Sequence, residues 1–247
     1  MVCISGFANL AKTAREEEKH ALDQAVCRAL DNAFAKTIRS WEPVIDQYFR
    51  DETSFFIGLL DDFRFLSAAV AFLLELKGQG CALCRPEIRP MEDKALRLQD
   101  VYNPMLVLRS EGQTVVANDF TYDDRGCFYL VTGPNHGGKS IFCYSVGMAQ
   151  ALFQLGLLVP ARAAVMSPVR CIFTHFPTSD EDNYGKGRLE SECARMSQIL
   201  AQLQGDDMLL MDESFSSTSL LEGSYIAGEV LSAIAVIGCG GVYVTHI

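Results

Sequence analysis

Residues 127 to 155 constrain the fold more than any other stretch. An apolar run, Cys127 to Thr132, passes directly into GPNHGGKS, Gly133 to Ser140, and then into a segment with helical apolar spacing that reaches Leu155. Strand, glycine-rich turn and helix in that order fit the G-x-x-x-x-G-K-S pattern of a P-loop. Its glycines let backbone N–H groups point inward, and the N-terminus of the following helix adds partial positive charge, so a polyphosphate is held without bulky side chains. Lys139 would reach the β- and γ-phosphates and Ser140 would ligate Mg²⁺. The competing reading is a glycine-rich turn with an incidental lysine, and the strand before it and the helix after it weaken that reading.

Downstream, MLLMDE at Met208 to Glu213 is an apolar strand that ends in two carboxylates. Taken alone, acidic residues often open the next loop. Paired with the P-loop, Asp212 is expected to hold the Mg²⁺ shell and Glu213 to orient or deprotonate an attacking water. His246 closes the last strand at Val244-Thr245-His246, at the same sheet edge, where an imidazole could sense the γ-phosphate. An isolated histidine is more often structural, and only its place in this series raises it to a candidate.

The rest of the chain supplies the frame. From Lys12 to Lys77 apolar residues recur at helical spacing, so this part reads as helix, with Pro43 expected to kink or restart it. Trp41 and the phenylalanines there read most simply as core residues, and Phe65 to Leu76 as a buried helix too short to span a bilayer. Between Cys81 and Asn118, RPEIRPMED, MLVLRS and TVVAN look like short strands flanked by turns. Beyond them come strand 127–132, helix 138–155, strands 163–166 and 170–173, helix 188–204, strand 208–211, helix 220–236 and strand 241–244. That alternation argues for an α/β fold with a largely parallel sheet covered on both faces.

Composition excludes some classes. A net charge of −10 is divided as −3 over residues 1–100 and −7 over residues 101–247. The second half is therefore a poor candidate for gripping nucleic acid phosphates by itself. Nine scattered cysteines do not form a secreted disulfide framework, which favours a reducing cytoplasm. Cys81 and Cys84 are a lone CxxC without a second pair, and Asp180 to Asp182 with Glu190 read as a solvated acidic loop.

Together these residues resemble the MutS family of ATPases, within the ABC-type P-loop proteins. TGPNHGGKS looks like the family's TGPN-x-GGKS, and Val159 to Ala161 (VPA) and Ile172 to Thr174 (IFT) follow in the family's order. DESFSSTSLLEG from Asp212 is similar to DE-x-G-R-G-T-S-x-x-(D/E)-G, with Ser216 and Ser217 in place of the usual Arg and Gly. NPML at Asn103 and VANDF at Val116 resemble the family's entry into the ATPase domain. The resemblance runs from about residue 55 to the end.

It implies a helical segment, 1–80, like the end of the MutS core domain, followed by an ABC-type P-loop NTPase domain, 81–247, with a mostly parallel sheet. It also implies ATP and Mg²⁺ as cofactors. The nucleotide would be bound by Gly133, Pro134, Asn135, His136, Gly137, Gly138, Lys139, Ser140 and Ile141, the metal by Ser140 and Asp212, and catalysis would fall to Lys139, Glu213 and His246. A homodimer through the ATPase domain is implied, each P-loop completed by the partner's segment GRLESE, Gly187 to Glu192. There Gly187 or Arg188 stands where many members offer a serine. Arg188 either reaches the partner's phosphate or is a solvated arginine at a helix start.

The implied role is a nucleotide-driven switch of a DNA-binding clamp in mismatch repair or related DNA metabolism, with DNA held by regions outside this chain and no membrane. The chain looks like a C-terminal portion of a longer protein or a truncated member. Two competitors stand beside this reading. One is a dimeric switch acting on a ribosome or signalling partner, and the other is a P-loop kinase.

Overall fold

The computed structural model describes residues 4–110, 115–122, 126–134, 137–177 and 187–246. Asn135, His136 and Asp180 to Asp182 lie outside the described residues. The chain divides into two compact units, Met1–Ser67 and Ala68–Ile247.

The first unit is formed by helix α1, which spans Ile4–Gly78 and so runs on into the second. Pro43 lies inside it and the helix does not restart there. A proline removes only its own bond to the carbonyl four residues back, and the ladder on either side carries the helix through. Leu30, Phe34, Trp41, Phe56 and Phe63 are exposed, which corrects the expectation of core residues. Helical periodicity announces an apolar face but not whether another element covers it. In the stretch expected to be buried, Ala69 and Leu76 are, whereas Phe65, Leu66, Val70 and Leu74 are exposed.

Among the described residues the second unit holds two four-stranded sheets. One is wholly parallel and contains β4 (Phe128–Val131), β6 (Ile172–His175), β7 (Met208–Asp212) and β8 (Gly240–Val244) in the order β4-β8-β7-β6. The other is mixed, with β1 (Glu87–Ile88), β2 (Leu96–Val101), β3 (Asn118–Thr121) and β5 (Ala163–Met166) in the order β1-β5-β2-β3. The segment at 163–166, expected in a single parallel sheet, pairs antiparallel with β2 instead.

Period-two alternation distributes the parallel strands between two cores. Met208, Leu210, Val242 and Val244 pack with Cys143, Val146 and Ala149 of helix α3 (Lys139–Gln154) and with Leu96, Leu98 and Met166 of the mixed sheet. Leu209, Met211 and Tyr243 face the opposite way, onto Met196 and Ile199 of α4 (Arg188–Leu200) and Ala227, Val230 and Ile234 of α5 (Leu220–Ile237). Helix α3 lies very close to the sheet at Gly147, where a Cβ would stand 2.4 Å from the Leu210 side chain. By length and composition α5 is apolar enough to cross a membrane, but its buried side belongs to the second core.

MLVLRS, expected as a strand, is helix α2 (Pro104–Arg109). Asn103 caps it by accepting a hydrogen bond from the Leu106 N–H at 3.0 Å, and Pro104 occupies its first turn. Both are helix-start signals, and they decide an apolar run whose periodicity is ambiguous.

Candidate functional site

All four parallel strands end at one edge, and the crevice beyond the carboxyl ends of such strands is where α/β sheets bind ligands. β4 delivers Gly133, β7 delivers Asp212 and Glu213, β8 delivers His246 and β6 ends in His175. The chemistry-bearing residues thus share an edge because the strands are in parallel register.

Helix α3 starts at Lys139 behind Gly138, whose φ of 80° lies in the left-handed region, and it has no side-chain N-cap. The first N–H groups of a 16-residue helix are thereby left facing the loop, the arrangement that favours an anion. Lys139 Nζ donates to the Gly133 and Pro134 carbonyls at 2.8 and 2.9 Å, so the ammonium sits over the loop. A cavity of about 830 Å³ opens beside it. Gly133, Gly137, Gly138 and Lys139 line one part, and Val115, Val116, Leu106 and Phe142 give it apolar walls, with Ile141 also lining it. Phe120 stiffens this wall through edge-on contacts with Tyr122, Tyr129 and Phe142 at 5.7, 5.4 and 5.4 Å.

Ser140 Oγ donates to Asp212 Oδ1 at 2.9 Å, joining the first turn of α3 to the end of β7. The other carboxylate oxygen, Oδ2, accepts from Tyr144 Oη at 2.6 Å. Burial, with Asp212 beside it, pushes the Tyr144 phenol above its ordinary range, so it stays a donor. Glu213 follows at φ 45° and its N–H is held by the Val244 carbonyl at 2.9 Å. His246 Nδ1 lies 3.3 Å from Glu213 Oε1. A hydroxyl and a carboxylate at hydrogen-bond distance are an all-oxygen donor set, which suits a hard divalent cation such as Mg²⁺. A cation, a phosphate cradle and a second carboxylate in one place suit phosphoryl chemistry with water.

Arg188 opens α4 and does not line the cavity; its Nε stands 3.6 Å from Glu192 Oε1. Of the expected set, the loop residues outside 135–136, Lys139, Ser140, Ile141, Asp212, Glu213 and His246 therefore converge, while Arg188 stands apart within one copy of the chain.

Residues 129–247 match the family model described as MutS domain V. This segment, just under half of the chain, carries the MutS-family match. It is 30% identical over 167 residues to the DNA mismatch repair protein MutS of Prochlorococcus marinus strain AS9601, covering 66% of this chain and 18% of that protein. Similarity to human DNA mismatch repair protein Msh6 is 27% over 249 aligned positions, 96% of this chain and 17% of the relative. The MutS of Thermosipho melanesiensis is 35% identical over 132 residues, or 53% and 16% respectively. The chain thus spans less than a fifth of each of these relatives.

Against the MutS pattern, the structure adds residues that sequence reasoning missed. Tyr144 gave no signal beyond lying on the P-loop helix one turn after Ser140. Phe215 falls where the pattern DE-x-G carries glycine, and its φ is 64°, in the left-handed region. That mismatch was a visible signal that something else must hold the turn. His175, Ser214 and Glu192 surround it: Phe215 N–H donates to Glu192 Oε2 at 2.9 Å, and His175 lies 2.7 Å from Ser214 Oγ.

Proposed function

We propose that this chain is an ABC-type, MutS-like ATPase that binds Mg-ATP in the 133–140 loop, hydrolyses it and uses the exchange to close and open a dimer. The observation that carries this reading is the 2.9 Å contact between Ser140 Oγ and Asp212 Oδ1, with Glu213 next in the chain and His246 against it. Backbone amides of the loop and of α3 would bind the phosphates, Lys139 would bridge the β- and γ-oxygens, and Ser140 and Asp212 would hold the metal. When bound, Mg²⁺ neutralises charge on the transferring phosphate. Glu213 would take a proton from the attacking water, and His246, 3.3 Å from Glu213 Oε1, would orient it and could sense the γ-phosphate. The apolar part of the cavity receives the base.

Arg188, being absent from its own chain's cavity, is assigned to the phosphate of a second copy, where a guanidinium would stabilise transferring charge. The names of the relatives support a role for such a switch in DNA mismatch repair or related DNA metabolism. The charge of −7 over residues 101–247 supports DNA contact through other regions. The same acidity favours one alternative, a dimeric switch on a non-DNA partner, which salt-dependent binding of mismatched or branched DNA by the intact protein would remove.

The test is a solution mass determination with ATP and Mg²⁺ on Glu213→Gln. The variant is expected to bind nucleotide, release no phosphate and accumulate as a dimer that the wild type forms only transiently. A monomer under all conditions despite tight ATP binding overturns the dimer switch.

A further inference from the structure

We propose that His175, Ser214 and Glu192 form a positioning clamp that ties the orientation of Glu213 to the position of helix α4. The proposal rests on the reading of Glu213 as the residue that works on water.

The turn after β7 is conformationally costly. Glu213 and Phe215, neither of them glycine, both have positive φ, at 45° and 64°, on either side of Ser214. Such residues persist only where their surroundings over-determine them. Besides a 3.2 Å contact of Ser214 Oγ with the His175 carbonyl, four links do so here, and they divide by destination. Two go to β8 or its end: Glu213 N–H to the Val244 carbonyl at 2.9 Å, and Tyr243 Oη to the Ser214 carbonyl at 3.2 Å. The other two lead to α4. Phe215 N–H donates directly to the Glu192 carboxylate at 2.9 Å, and Ser214 Oγ reaches Glu192 through His175.

The proton arrangement in that second path follows from its far end. His175 Nε2 lies 3.1 Å from the Glu192 carbonyl oxygen, which only accepts, so Nε2 carries the hydrogen. In the neutral ring Nδ1 is then an acceptor that needs a donor, so the single Ser214 hydroxyl hydrogen goes to it at 2.7 Å rather than to the more distant His175 carbonyl at 3.2 Å. His175 is 1% exposed and packs against Phe215 at 5.5 Å between ring centroids, so it has no room to turn away. Buried histidines are usually satisfied core residues, and this one is satisfied. What sets it apart is the identity of its partners, the residue after Glu213 on one nitrogen and a residue in the second turn of α4 on the other.

Glu192 also receives Arg188 at 3.6 Å. Arg188 and the Phe215 N–H thus share the Glu192 carboxylate, while His175 ties Ser214 to the Glu192 backbone carbonyl, so two separate polar links run from the start of α4 to the residues beside Glu213. A shift of α4 of the kind that engagement of a second copy at Arg188 would bring pulls on Ser214 and Phe215 together. Glu213 is the residue hinged between that pair and the fixed end of β7. The clamp makes the carboxylate's aim a function of where α4 stands.

The test uses the 247-residue chain and its variants Ser214→Ala, Ser214→Thr, Glu192→Ala, the Ser214→Ala/Glu192→Ala pair and Glu213→Gln. Single-turnover ATP hydrolysis, ATP affinity and hydrogen exchange of the Phe215 amide are measured on each. Ser214→Ala is expected to slow hydrolysis by about ten- to a hundredfold. ATP affinity should stay within about twofold of wild type, because the clamp does not touch the phosphate cradle. Phe215 exchange should accelerate, and threonine, which keeps the hydroxyl, should restore both. If the two residues act as one clamp, the double variant loses no more than the worse single one, and a multiplicative loss overturns the coupling to α4.

Hydrolysis at the wild-type rate in Ser214→Ala, while Glu213→Gln stops turnover, overturns the clamp and leaves the ATPase reading standing. No loss in Glu213→Gln, or no phosphate release by the wild type, overturns the hydrolytic reading. In that case unchanged Phe215 exchange in Ser214→Ala overturns the clamp as well, and acceleration rescued by threonine supports it as a mechanical link. Should Glu192→Ala fail to fold, Ser214→Ala and Ser214→Thr still decide the question.

Discussion

Asp212 is 4% exposed, and a carboxylate that deep needs both oxygens satisfied. Ser140 and Tyr144 satisfy one each. Tyr144→Phe removes one donor while the ring, tilted on Phe176 at 4.7 Å, keeps its packing. The expected cost is about 1–3 kcal/mol in urea unfolding, since a buried carboxylate oxygen loses its partner. A variant as stable as wild type would mean that Asp212 is held by Ser140 alone. His175 makes a different prediction because its state depends on pH. Burial, and then the charge of Arg195, lower its pKa to about 4 from an ordinary 6.5. The folded chain therefore keeps the ring neutral over a range where the unfolded chain protonates it. Its stabilisation is complete above pH 6.5 and is lost progressively as pH falls to about 4, on the order of 3 kcal/mol in all. Urea midpoints between pH 7.5 and 4.5 should fall more steeply in wild type than in His175→Gln, and parallel slopes would refute the assignment.

Helix α2 shows how local chemistry decides an element. It is only six residues long, too short to be stable alone, and its start depends on the Asn103 cap. Asn103→Ala should cost about 0.5–2 kcal/mol, read as a drop of roughly 2–4 °C in Tm per kcal/mol for a chain of this size. Leu106 lines the apolar wall of the cavity, so the same variant should weaken nucleotide affinity. The cap was present in the sequence as Asn103-Pro104, but the apolar run MLVLRS was read by strand propensity. β2 was missed for the opposite reason: LRLQDV carries two charges, yet Leu96, Leu98 and Val101 are buried because a second sheet lies behind them. By contrast α3, β7, α5 and β8 were legible almost to the residue, since each has a strong period and a clear stop. The meeting of Lys139, Ser140, Asp212 and Glu213 at one sheet edge was legible because it follows from local pattern. Tyr144, His175 and Ser214 were hidden because their contacts arise from tertiary packing, Tyr144 reaching Asp212 from α3 and His175 lying opposite Met211 across β6 and β7. No single-sequence pattern reports that pairing.

At the scale of the whole chain, pattern and packing divide the molecule at different places. The change from helix to short extended pieces and the family resemblance put the boundary at 80/81. Packing puts it at 67/68, inside α1. The difference lies in the last turns of that helix. Leu76 is fully buried, in a small core with Tyr102 and Val107, and Phe72 packs against the same group. Tyr102 Oη then bonds the Ala82 carbonyl at 2.9 Å, joining the segment after the helix to the same spot. Residues 68–78 thus serve the second unit as core, although they belong to a helix that starts far earlier. Two fragments separate the readings. The fragment 68–247 should unfold cooperatively and bind Mg-ATP as tightly as the whole chain. The fragment 81–247 lacks Leu76 and should be weaker by about 2–5 kcal/mol, the usual cost of emptying a buried leucine site. Tyr102 and Val107 flank the entry to α2, so its loss should also loosen Leu106 on the cavity wall and lower nucleotide affinity. Equal urea midpoints for the two fragments would place the boundary at 80/81 and reduce Leu76 to a passenger of α1.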